Sequence, residues 1–193
     1  MIAYKGISRD MTARLGNRDG EVFHVGGTYT VEKSKTASCG YHCCENPVQC
    51  LGYYDLKRDR FFKVEASGSI DEDDQERIAC TKIVILEELD IKGFFCACIK
   101  YIVGHPDRKK WEWSGKDVSI SKSSAKAAVI AIARGEDPRA MIGSQEGYIG
   151  LIKEDTDGHL LAAEVLKVDG QKYHPSTWYH INDTGIVEEV RPE

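Results

Sequence analysis

No run of about 18 apolar residues occurs anywhere in the 193-residue sequence, so no transmembrane helix is expected. The opening residues, "MIAYKGISRDM", contain no apolar core of a secretion signal and are charged by Lys5, which makes a cytoplasmic protein the expectation. A cationic excess is also missing. Lysine and arginine number 26 against 31 aspartates and glutamates, giving a net charge of −5 and a pI near 5.7. That balance argues against non-specific binding to nucleic acid, which needs a basic face. The acidic stretch "DEDDQE" at 71–76 lacks the Asp-x-Asp-x-Asp-Gly spacing of a calcium loop and reads as a solvated loop. No glycine-rich oxyanion loop accompanies the cysteines, which leaves a cysteine nucleophile without its usual partners.

What is present suits a globular chain. The hydrophobic fraction is 41% and the charged fraction 30%, with both signs interspersed. Seven cysteines, an odd number without a secretion signal, are expected as reduced thiols rather than as a disulfide framework. Alternating apolar residues predict strands at "MIAYKGI", Thr28–Val31, Tyr41–Cys43, "RFFKVEAS" and "CTKIVIL", with "SGSIDEDDQERIA" as an acidic loop. Asn46-Pro47 predicts a short helix that stops near Gly52, because Asn caps free backbone donors and Pro fits the first turn. A longer helix is predicted across "EELDIKGFFCACIKYIVGHP".

The second part changes character. Apolar triplets begin at Val118, Val129, Ala140 and Tyr148, at intervals of 11, 11 and 8 residues, which suits the rungs of a small β-solenoid. "SSAKAAVIAIARGED" reads equally as a helix capped by Ser123 or Ser124 and ended by Gly135. Further strands are predicted at "YIGLIKED", "HLLAAEVLKV", "QKYHPSTWYHIN" and "GIVEEV", with turns at Asp157-Gly158, Asp169-Gly170 and Asp183-Thr-Gly185. The fold expected is α+β. Residues 1–106 form an N-terminal mixed sheet with one short and one longer helix, and residues 107–193 form a β-solenoid-like and β-hairpin part.

The densest chemistry lies in "GYHCCENPVQCLGYY", residues 40–54. A zinc site would draw on Cys39, His42, Cys43 or Cys44, and Cys50. However, Cys44 and Cys50 are loosely spaced for that, and adjacent Cys43 and Cys44 on a strand point to opposite faces. The plainer reading is a corner with buried thiols acting as small hydrophobes. A third has His42, Glu45 and Asn46 lining a ligand pocket. Farther on, "DRKKWEW" places Lys109 beside Trp111 and Trp113. These residues form either an amphipathic strand with both indoles inward or a surface for stacking a base beside a cation. Trp178 and Tyr179 of "TWYH" are expected to cover the end of the sheet or solenoid, with a homodimer through that end as the alternative.

Taken in order, "AYKGISRDM", "GGTYTVE", "GYHCCENPVQCLGYY", "RFFKVEASGSI" and "ACTKIVILEEL" resemble a domain family of unknown function common in bacteriophages, prophages and gut bacteria. Its members carry Tyr-Lys-Gly-Phe, then Gly-Phe-His with Glu-Asn-Pro-Leu-Asp, then a Tyr-Tyr pair, often followed by short Ser/Ala/Gly repeats and a β-rich tail. The resemblance covers roughly residues 1–100 and the tail from about 145, and the chain departs from the pattern at Ile7, Tyr41, Val48 and Gln49. A looser, fold-level likeness is to ADP-ribosyltransferases, although Lys5 stands where the arginine-type enzymes have Arg. No histidine lies on the first strand, and no clear Glu-x-Glu loop exists.

Phage accessory proteins of this size often block host defences. The resemblance therefore implies a phage-encoded, non-enzymatic binding protein acting in the host bacterial cytoplasm. It would antagonise an immune system by binding a host defence protein, such as a nuclease, or a signal nucleotide. One alternative is an ADP-ribosyltransferase-like enzyme acting on NAD through Tyr4, Lys5, His42 and Tyr53, and another is a phage structural module. No resident cofactor or metal, no membrane contact and a possible homodimer are expected. The candidate binding residues are Tyr4, Lys5, His42, Glu45, Asn46, Tyr53, Lys109, Trp111 and Trp113.

Overall fold

The structure is a computed structural model that describes residues 1–13, 20–73, 77–105, 114–121 (backbone) and 130–191. The chain divides into two compact units, Met1–Phe94 and Phe95–Glu193. The architecture is α+β and β-rich, with two sheets and few helices. Among the described residues no helix is long and apolar enough to cross a membrane.

The first unit contains β1 (Ile2–Ile7), β2 (Thr28–Thr30), β3 (Tyr41–Cys44), a 3₁₀ helix (Pro47–Gly52), β4 (Arg60–Glu72) and β5 (Arg77–Leu89). All described ladders of its sheet are antiparallel. β1 pairs with β3 and β4, and β5 pairs with β3 and β4, so four strands form a nearly closed ring with β2 added on β5. Alternation decides the inside. Ala3 and Ile7 of β1 and Phe62, Val64 and Ala66 of β4 are fully buried and share one core. In β5 the inward set shifts phase, from Ile78 and Cys80 to Ile83 and Ile85, across a register break opposite Ser67–Ile70. Such a bulge bends a strand pair and raises its twist, which lets β5 meet β3 with one end and β2 with the other. Phe23, Tyr29 and Tyr41 fill one end of this core edge-to-face, with ring centroids 4.8 and 6.2 Å apart.

Two local expectations give way here. The segment read as an acidic loop is mostly strand. β4 runs to Glu72 and β5 begins at Arg77, because ladder pairs such as Asp71↔Ala79 satisfy the backbone whatever the side-chain charge. The helix read from Glu87 starts later. Glu87–Leu89 complete β5, and α1 spans Ile91–Gly104 behind an Asp90 cap whose Oδ1 accepts from the Gly93 amide at 2.6 Å.

The second unit holds the rest of α1, then β6 (Ser114–Ser121), β7 (Ile130–Ile142), β8 (Gly147–Glu154), β9 (Leu160–Val168), β10 (Trp178–Ile181) and β11 (Val187–Val190). β6, β7 and β8 stack in parallel, while the β8–β9 and β10–β11 hairpins are antiparallel. The coil step is longer than the triplets suggest. Ser114 pairs with Ile132 and Ile132 with Gly150, each partner 18 residues on, and the triplets near 130 and 140 belong to one strand. Residues 130–134 are therefore strand, whereas 122–129 lie outside the described residues. On β7 and β8, Ala131, Ala133, Ile149 and Leu151 face a core shared with Tyr179 and Ile181 of β10. On the other face Tyr148 stacks on Phe95 of α1 at 5.7 Å. Tyr179 is fully buried, and its hydroxyl accepts from the His174 amide at 2.7 Å. Arg134 and Glu154 form a buried pair, with Nε to Oε2 at 3.1 Å.

Candidate functional site: a cleft on the seam of the first sheet

The ring of the first sheet is weakest between β1 and β3. β1 pairs with β4 at six described positions but with β3 only at Tyr4↔Cys44. A cleft of about 210 Å³ opens along this seam. Tyr4, Lys5 and Gly6 line it from β1, and His42, Cys43 and Cys44 from β3. Cys50, Tyr53 and Tyr54 close it from the 3₁₀ helix and its exit, with Ala37, Ser38 and Arg77 at the rim. No carboxylate stands among these lining residues.

The local sequence explains how the walls are set. Asn46 has extended φ/ψ and its Oδ1 accepts from the Val48 amide at 3.1 Å, while Pro47 opens the turn as expected from the Asn-Pro pair. The turn is 3₁₀ rather than α. It delivers Tyr53 and Tyr54 to the cleft, with the backbone amides of both residues donating hydrogen bonds to the Cys50 carbonyl. Gly6 matters by what it lacks. A Cβ there would lie 2.3 Å from the Tyr54 ring, so glycine lets the ring rest against β1.

Lys5 is the unusual member. It shares the inward face of β1 with Ala3 and Ile7 and is 8% exposed. Its Nζ donates to the His42 carbonyl at 2.7 Å and lies 5.6 Å from the centre of the Phe23 ring. Burial pulls its pKa below the ordinary lysine value, against the opposing pull of the Cys43, Cys50, Cys44 and Cys80 thiols. His42 is also held below its usual value, by burial first and by the Lys5 charge second, and its Nε2 is buried without a protein hydrogen bond. The Cys43 thiol is pushed well up, by its hydrogen bond with Cys80 and by burial, which makes it a poor nucleophile. Burial raises Tyr53 as well. Arg77 is engaged by Asp73, its Nε donating to Oδ2 at 2.6 Å.

Of the residues singled out from sequence, Tyr4, Lys5, His42 and Tyr53 line this one cleft. Glu45 and Asn46 sit in the adjoining turn without lining it, and Asn46 is used as the helix cap. Lys109, Trp111 and Trp113 lie outside the described residues. Sequence reasoning did not single out Gly6, Tyr54 or Arg77. For Tyr54 the Tyr-Tyr pair was a usable signal, whereas Arg77 carries none, since only the β3–β5 register brings it beside Cys44.

The zinc reading of the cysteines is not supported by the geometry. Among the described residues, the ligand atoms that converge within 4.8 Å belong to Asp155, Asp157 and His159, not to the thiols around His42. That trio is a turn held by its own bonds, with Asp155 accepting from the amides of Asp157 and His159 at 2.9 and 2.8 Å. All seven cysteines are free, and only Cys96 is fully exposed.

The family model of a domain of unknown function, DUF7666, matches residues 1–97. The chain belongs to the DUF7666 family. The match takes in every cleft residue, so the cleft is a feature of the DUF7666 part of the chain. No curated protein and no solved structure matches the chain.

Proposed function

We propose that this DUF7666 protein is a non-enzymatic binding protein whose cleft takes a small, anionic, ring-bearing molecule of the signal-nucleotide type. The observation that carries the reading is the lining. Three tyrosines line the cleft, Lys5 and Arg77 bring nitrogen donors to it, and Asp73, the carboxylate felt by His42 and Tyr53, is already paired with Arg77. The resemblance to phage and prophage domains supplies the setting. In the cytoplasm of an infected bacterium, a protein that sequesters such a signal antagonises the immune system that depends on it.

The rival reading, an ADP-ribosyltransferase-like enzyme, uses the same cleft and takes NAD as substrate. The same lining speaks against it. Cleaving a glycosidic bond builds positive charge on the sugar, and carboxylates commonly stabilise that charge, whereas none stands among the residues that line this cleft.

The test is to purify the tagged protein from bacterial lysate, denature it and identify released small molecules by mass spectrometry, with NAD turnover assayed on the same preparation. A retained nucleotide and no turnover supports the binding reading. An empty cleft with NAD consumed overturns it.

A further inference from the structure

We propose that Lys5 is a carbonyl-capturing amine: an aldehyde or ketone that enters the cleft condenses with its Nζ to form an imine. This goes beyond nucleotide binding and does not depend on it.

The placement of the amine carries the inference. Most lysines keep the amine in water. Lys5 instead shares the buried, apolar face of β1 with Ala3 and Ile7 and holds its amine over the Phe23 ring. The groups nearest to it are thiols and a backbone carbonyl, none of them an anion that would hold it as an ammonium ion. An ammonium so placed loses hydration without gaining a counter-ion, which favours the neutral, nucleophilic amine. Lys5 is nevertheless one of the residues that line the cleft, which gives a small molecule held there a route toward the amine.

The chemistry balances without a redox partner. The nitrogen lone pair attacks the carbonyl carbon to give a carbinolamine. The carbonyl oxygen then leaves as water with the two amine hydrogens, and a C=N bond replaces C=O. Water in the cleft supplies the proton that the departing oxygen needs and takes up the one the nitrogen sheds.

A purely structural lysine would show the same hydrogen bond to His42, so the test reads reactivity. The folded wild-type protein is treated with pyridoxal 5′-phosphate, and in parallel with acetaldehyde. Each reaction is reduced with cyanoborohydride, and adducts are timed at each lysine by peptide mass spectrometry. Lys5 is expected to label about tenfold or more faster than exposed Lys57 and Lys82, because burial without a counter-ion favours its neutral, nucleophilic form. Urea sufficient to unfold the chain is expected to erase the difference. Labelling of Lys5 that is slower than at Lys57 and Lys82 with both probes, or absent, overturns the proposal. The readout does not involve nucleotide affinity, so the two readings fail separately.

Discussion

The Lys5 amine and the backbone carbonyl of His42, 2.7 Å apart, bridge the seam where β1 and β3 share only one described pair. A side chain spans the gap in the ladder. The bond makes Lys5 both a lining residue of the cleft and a buried amine without a lining carboxylate, and these roles pull stability and binding in opposite directions.

Replacing Lys5 by Met tests that opposition. Methionine keeps most of the stem and removes the desolvated amine, at the cost of one hydrogen bond. Lys5→Met is expected to raise stability to urea by about 1 kcal/mol, while binding of an anionic ligand falls by about tenfold or more. Loss of stability in this variant would show that the bond to His42 outweighs the cost of burying the amine.

His42 gives a pH signature. Burial and the Lys5 charge lower its folded-state pKa, so its ring is expected to stay neutral at pH 7 and to protonate below the unfolded value of about 6.5. Below that value the unfolded chain binds the proton more readily than the folded one. Stability therefore falls as pH drops from about 6.5 through the folded-state pKa. His42→Gln is expected to flatten that limb of the curve, as read by unfolding at several pH values. NMR titration of the ring checks the same claim directly, and a midpoint above 6.5 would refute it.

Gly6 and Tyr54 define the outer wall. Gly6→Ala places a Cβ into the Tyr54 ring, so the ring must move. A loss of about 1–3 kcal/mol is expected, as for overpacking in a close-packed site, together with weaker ligand binding. Tyr54→Ala in the same background should recover part of the stability without restoring binding. If Gly6→Ala is neutral in both measurements, Tyr54 does not form the wall.

Much of this unit was legible in the sequence because its strands alternate cleanly. The alternation in "RFFKVEAS" predicts a strand, and its alternate residues Phe62, Val64 and Ala66 are buried together. Asn46-Pro47 announced a turn, and Tyr4, Lys5, His42 and Tyr53 were grouped from local pattern and family resemblance. Three things were hidden. A charge-rich hairpin end reads as loop because composition reports solvation, whereas its strands are held by backbone pairing that composition does not record. The 18-residue coil of the second unit was masked by β7, whose two arms both carry apolar triplets and so imitate two shorter rungs. Arg77 reaches the cleft only through tertiary register, which no spacing in the chain encodes.

In the second unit, Arg134 and Glu154 are each buried and joined by two hydrogen bonds, at 3.1 and 2.5 Å. Glu154→Gln leaves the guanidinium without its counter-charge and is expected to cost about 3 kcal/mol. Replacing both partners by Met and Leu is expected to recover most of that loss in urea unfolding. A single variant as stable as the wild type would mean that the pair is solvated in solution.

The most direct test of the cleft as a binding site is an NMR titration of the folded protein with linear and cyclic nucleotides. The ring signals of His42 and Tyr53 are followed, with His180 in the second unit as the internal control. The account predicts that one nucleotide class shifts His42 and Tyr53 saturably, with a Kd of about 10 μM or tighter, and leaves His180 in place. No shift at His42 or Tyr53 with any nucleotide at about 1 mM, a concentration at which even weak binding of about −4 kcal/mol would register, would contradict it.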